Sequence, residues 1–284
     1  MSESILTAAA LNQYLNQPDW RVFDARFSLA DPMAGERAYR EGHIPGAIYA
    51  HLDRDLSQPI VPGVTGRHPL PEKKHWEETL KKWGLHRDLT LIVYDDQIGG
   101  IAARLWWMLR WSGFSKVMVL DGGWQAWVAN GYPINQDIPI PGSSAFIPEY
   151  HDDWLVPVEE VERWRQDPAF CVVDSREAIR YRGEQEPIDP VAGHIPGAVN
   201  LPFGENMTST KAWKSVTELH ERFSLIANEA SADRTVFYCG SGVTACHNIL
   251  AYHQAGLGMP RLYAGSWSHW ITDTIRPVAL GEKP

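Results

Sequence analysis

Two stretches of the chain are nearly the same: Glu41–Tyr49 reads EGHIPGAIY, and Ala192–Asn200 reads AGHIPGAVN. Around each copy the same landmarks recur in the same order. WRVFDAR (Trp20–Arg26) precedes the first and FCVVDSR (Phe170–Arg176) the second, with 19 positions from Asp24 to His43 and 20 from Asp174 to His194. Downstream, TLIVYDDQIGGIAARLWW leads to VLDGGWQAW, and TVFYCGSGVTACHNIL leads to LYAGSWSHW. Tyr94 and Trp124 are 30 positions apart, Tyr238 and Trp267 29. Landmarks matched in order and spacing define a tandem repeat, so two similar units are expected.

Each copy reads as α/β. TLIVY and TVFY are short apolar runs of the kind buried on both faces of a sheet, not alternating half-exposed strands. AARLWWMLRWSG and TACHNILAYHQAG read as helices, each closed by a glycine. Alternation of strand and helix implies a mostly parallel sheet flanked by helices, here twice over. Tyr132–Tyr150, YPINQDIPIPGSSAFIPEY, is rich in proline and turn residues and reads as a connector. The expected division is a domain over 1–135, a linker over 136–154 and a domain over 155–284.

Composition narrows the function. The 284 residues carry a net charge of −9, with 44% hydrophobic and 21% charged residues, which describes an ordinary globular protein and argues against nucleic acid or an anionic membrane as main partner. The N-terminus lacks the pattern of a secretory signal, and no apolar run is long enough for a membrane span. Three cysteines, Cys171, Cys239 and Cys246, suggest a reducing cytoplasm rather than a disulfide framework. No cysteine–histidine spacing of the zinc type occurs, so no metal is expected.

One cysteine stands apart. Cys239 directly follows TVFY, at the strand end where sites form in open α/β sheets. Gly240, Ser241 and Gly242 let the backbone curl tightly before the next helix, turning amides into a concavity that holds an anion. The thiolate is the reactive form of cysteine, and such a site suits it. Cys171 and Cys246 read as packing. A cysteine phosphatase loop, C-x5-R, would need an arginine where Ala245 stands, so phosphoryl transfer is disfavoured.

CGSGVTAC, with DSR and GHIPGA upstream and GSW downstream, resembles the tandem-domain rhodanese and mercaptopyruvate sulfurtransferase family over nearly the whole chain. The resemblance implies two rhodanese-like domains, the second active and the first degenerate, since Asp95 stands where Cys239 does and a carboxylate cannot carry sulfane sulfur. It implies a Cys239 persulfide held by backbone amides of Gly240, Ser241, Gly242, Val243 and Thr244, with no cofactor. Among Arg176, Arg180 and Arg182, it assigns substrate binding to Arg180 and a structural D-x-R role to Arg176. It also implies a proton relay of Ser241, His68 and Asp53.

The Gly-Ser-Gly that follows the cysteine points to 3-mercaptopyruvate as donor, whereas thiosulfate enzymes of the family carry basic residues there. Mercaptopyruvate enzymes also carry a second arginine, and here the matching stretch, EPIDPVAGH (Glu186–His194), has none. Thiosulfate is therefore the alternative donor, and a non-enzymatic rhodanese-like binding module the alternative class. The expected acceptor is cyanide, a small thiol or reduced thioredoxin, and the expected state a monomer. His43 and His194 occur in both copies, including the one without a cysteine, and so read as turn-fixing residues. Trp267 reads as lining pocket or core.

Overall fold

A computed structural model describes residues 4–15 and 17–283 and resolves into two compact units. In the first, β1 (Ile5–Leu6), α1 (Ala8–Tyr14), β2 (Trp20–Asp24), α2 (Ala34–Glu41), β3 (Ile48–Tyr49), α3 (Lys73–Lys82), β4 (Thr90–Tyr94), α4 (Gly100–Trp111), β5 (Val117–Leu120) and α5 (Gly123–Ala129) follow in order. The sheet is parallel throughout, in the order β1-β5-β4-β2-β3. In the second, α6 (Val158–Trp164), β6 (Cys171–Asp174), α7 (Ala178–Tyr181), β7 (Val199–Asn200), α8 (Val216–Glu229), β8 (Thr235–Tyr238), α9 (Ala245–Gln254), β9 (Arg261–Leu262) and α10 (Ser266–Trp270) build a parallel sheet ordered β7-β6-β8-β9. This is the expected α/β architecture. Every residue of β4, β6 and β8 is buried, as continuous apolar runs in a doubly covered sheet require. Gly113 (φ +94°) and Gly256 (φ +79°) follow α4 and α9 in the left-handed conformation that ends a helix.

The repeat extends to side-chain contacts. Arg26 clasps Asp24 and the Gly42 carbonyl and lies 4.4 Å from the Trp124 ring; Arg176 clasps Asp174 and the Gly193 carbonyl and lies 4.8 Å from that of Trp267. Both aspartates are fully buried, and each ion pair is sustained by hydrogen bonds that compensate for the lost water. His43 Nδ1 sits 2.7 Å from the Tyr39 carbonyl, and His194 Nδ1 sits 2.8 Å from that of Tyr181. Each histidine also pairs its backbone with a later segment, at Asn135 and Ala279 respectively. These histidines are structural pins. Trp267 is wholly buried in the second core, and Cys171 is a buried strand residue.

The units are not contiguous in sequence. Pro59–Pro69 belongs to the second and Ser209–Trp213 to the first, so a division at 135 and 155 needs two exceptions. Hydrogen bonds explain both. Arg67 N–H donates to Ser268 Oγ (3.0 Å), and Trp213 N–H to Asp121 Oδ1 (3.0 Å). Within the connector, Tyr132–Tyr150 holds no helix or strand beyond the single bridge at Asn135. No helix among the described residues is long and apolar enough to cross a membrane.

Candidate active site

β8 carries Cys239 to the carboxyl end of the second sheet, ahead of α9. The Gly242 N–H donates to Cys239 Sγ at 3.2 Å. That amide can turn back because Gly242 adopts φ +77°, and a Cβ there would lie 2.2 Å from the Ala264 carbonyl oxygen. Cys239 is pinned on both sides: its N–H donates to Ser266 Oγ (3.1 Å), and its carbonyl accepts from Trp267 N–H (3.0 Å). Ser266 itself has φ +57°, a conformation that costs a side-chain-bearing residue about 1–2 kcal/mol. Its hydroxyl, donating to the Tyr263 carbonyl (2.9 Å) while accepting from Cys239, offsets that strain. The Cys246 thiol donates to the Gly242 carbonyl (3.4 Å) from inside α9, a packing position. Val243 is buried, and Thr244 immediately precedes α9 without a side-chain cap bond.

Ser241 and His68 come together although they are 173 positions apart: Ser241 Oγ lies 2.7 Å from His68 Nδ1, and both residues are buried. Asp53 belongs to the first unit, exposed in the turn after β3, where its N–H donates to His51 Nδ1 (3.1 Å). Arg180, on α7, donates from Nε and Nη2 to Glu186 (3.0 and 2.6 Å) and from Nη2 to Asp189 (3.2 Å). Arg182 turns away to Glu184 (2.7 Å). Sequence reasoning missed Arg67, whose Nη1 pairs with Asp189. A methyl group on Gly240 would meet Arg67 Nη2 at 2.8 Å and both Nη atoms of Arg180 at 3.7 Å. Two guanidiniums thus flank the residue next to the thiol. The signal for Arg67 was its place immediately before His68 in GRHP.

Burial alone would raise the pKa of Glu186, but Arg180 and the N–H groups of Asp189 and Ile188 outweigh it and hold this carboxyl below its ordinary range. Asp189 goes the other way. Burial lifts it, Arg67 and Arg180 pull it down without cancelling the rise, and Glu186 adds to the rise.

The first unit fills the corresponding loop differently. Asp95 follows β4 and is buried, its Oδ1 accepting from the N–H groups of Gln97 and Gly99 and its Oδ2 from those of Ile101 and Ala102, each at 3.0 Å. Trp124 N–H donates to the Asp95 carbonyl (2.9 Å) as Trp267 does to that of Cys239. The loop is a cradle for an anion, and the chain supplies its own.

A parallel sheet ending in a cysteine held against a loop amide, beside arginines and present in two copies, defines a class. The chain belongs to the rhodanese family: the family model described as a rhodanese-like domain matches residues 7–130 and 157–273. It is 46% identical over 282 residues, 99% of both chains, to a Pseudomonas aeruginosa protein named "Probable 3-mercaptopyruvate sulfurtransferase". A thiosulfate sulfurtransferase of Gallus gallus is 34% identical over 255 residues, 88% of this chain and 86% of that one. The solved structure of 3-mercaptopyruvate sulfurtransferase from Leishmania major superposes with a TM-score of 0.83 at 32% identity, covering 97% of this chain and 75% of the other.

Proposed function

We propose that the protein is a sulfurtransferase that moves sulfane sulfur from 3-mercaptopyruvate to a thiophilic acceptor through a persulfide on Cys239. The observation that carries this reading is the Gly242 N–H directed at Cys239 Sγ from an uncharged Gly-Ser-Gly loop. The Cys239 thiolate attacks the donor sulfur, and the carbon–sulfur bond breaks with its electron pair going to carbon as the enolate of pyruvate. The donor's thiol proton passes to that enolate, leaving pyruvate and Cys239–S–S⁻. In this reading Ser241, hydrogen-bonded to His68, relays this proton. Loop amides hold the persulfide, and Arg180 orients the donor carboxylate. Cyanide, a small thiol or reduced thioredoxin then takes the outer sulfur, and with cyanide the products are thiocyanate and the free thiolate. The carried group sits on the protein, so no cofactor enters. The second unit is the active one and Asp95 disables the first; the enzyme works as a monomer in the cytoplasm.

The names of the relatives include thiosulfate sulfurtransferases, which makes thiosulfate the second reading for the donor. Initial rates with cyanide as acceptor separate the two. A kcat/KM at least about tenfold higher for 3-mercaptopyruvate, or ~1.4 kcal/mol of preferential transition-state binding, is expected. A ratio in the opposite sense assigns thiosulfate as the donor. Cys239→Ser is expected to abolish transfer from either donor, and a variant that kept it would end the persulfide mechanism.

A further inference from the structure

The donor site lacks the second arginine of the family pattern, yet a second guanidinium is present. We propose that Arg67, held in place by Asp189, is the second cation of the donor site, and that Asp189 makes this site select a monoanionic carboxylate over a dianionic donor. The inference rests on the sulfurtransferase reading and names the charge class of its substrate.

The geometry carries it. Arg67 commits its backbone N–H to Ser268 and Nη1 to Asp189; its Nε is buried without a partner among the described residues, and Nη2, also without one, faces Gly240. Arg180 commits Nε and Nη2 to Glu186 and Asp189, which leaves Nη1 equally unused and also facing Gly240. Two spare guanidinium nitrogens from different segments converge beside the nucleophile, a geometry that suits the two oxygens of one carboxylate. Asp189 lies in EPIDPVAGH, the stretch where an arginine is expected. A carboxylate there recruits a cation from Pro59–Pro69 instead of supplying one.

The charges decide the preference. Arg67, Arg176 and Arg180 are matched by Asp174, Glu186 and Asp189, so the cluster is neutral before a donor arrives. A donor with one negative charge takes the two unused nitrogens that face Gly240. A dianion brings a second charge toward Asp189 with no unmatched cation to meet it.

The test uses the full chain and the variants Arg67→Ala, Arg67→Lys and Asp189→Asn, with cyanide as acceptor and each donor in turn. Arg67→Ala is expected to lower kcat/KM for 3-mercaptopyruvate by ~100-fold, mainly through KM, because a charge-assisted contact is lost. Arg67→Lys recovers part of it. Asp189→Asn is expected to raise the ratio of thiosulfate to mercaptopyruvate activity at least ~10-fold. Arg67→Ala within twofold of the parent, or an unchanged ratio in Asp189→Asn, overturns the proposal. Calorimetric titration of parent and variants with pyruvate and with sulfate reads the same preference without turnover. Pyruvate binding that weakens in Arg67→Lys, together with sulfate binding that strengthens in Asp189→Asn, supports the proposal; binding unchanged in both overturns it. A parent inactive with both donors would end the sulfurtransferase reading alone, and these titrations would still decide the roles of Arg67 and Asp189.

Discussion

Cys239, the proposed nucleophile, is held by its backbone contacts, and Ser266 shows how. It holds a left-handed backbone so that its hydroxyl can accept the Cys239 N–H, whereas the first copy has Gly123 at the same place with φ +53° and no side chain to offer. Ser266→Ala keeps the strain and loses the acceptor, so a loss of about 1–2 kcal/mol is expected in urea unfolding. Ser266→Gly removes strain and hydrogen bond together and should be nearly neutral in stability, while both variants slow persulfide formation in single turnover. Equal stability of parent and Ser266→Ala would show that the hydroxyl does not secure the loop. Glu186 gives a pH-dependent counterpart. Its folded pKa lies below the ordinary value of 4.5, so its stabilisation is present above that pH and is lost as pH falls through the lower, folded value. Glu186→Gln should therefore flatten the acid limb of a Tm-against-pH series while lowering Tm near neutrality. An unchanged acid limb would place the titrating carboxyl elsewhere.

At the scale of elements, the same strand–loop–helix unit was built twice and equipped differently. In the first copy four backbone amides converge on Asp95. Asp95→Asn preserves shape but sets an NH2 group against two of those donors, and a cost of roughly 2 kcal/mol in unfolding free energy follows. Activity at Cys239 should be untouched. A neutral Asp95→Asn would mean that the cradle is held by the chain around it rather than by its anion. Strands, helices and closing glycines could be read from apolar runs and local turn chemistry, because those signals lie within a few residues of the element they shape. The position of Cys239 was legible for the same reason: TVFYCGSG states strand end and tight loop in one breath. Arg67, Asp189 and Ser266 were not. Their meaning depends on pairings across 122 positions for Arg67 with Asp189 and 27 for Ser266 with Cys239, which no local pattern records.

For the whole molecule, the repeat foretold two units but not that each borrows a piece from the other half of the chain. A fragment over 152–284 contains Cys239 and its loop yet lacks Arg67 and His68. Its transfer activity is expected to fall at least ~100-fold below the full chain, with recovery when residues 1–151 are co-expressed. Full activity in the isolated fragment would show that Pro59–Pro69 contributes nothing to the site. The exchange of Pro59–Pro69 and Ser209–Trp213 also sets a timetable for synthesis. A ribosome delivers chains from the N-terminus, and domains ordinarily fold as they emerge. Here the first unit must wait for Trp213 before it is complete, while Arg67 and His68 emerge long before Asp189 and Ser241, which they pair with. The first unit is not complete until part of the second has been written, and the loop that holds Cys239 meets His68 only after nearly all of the chain has been made.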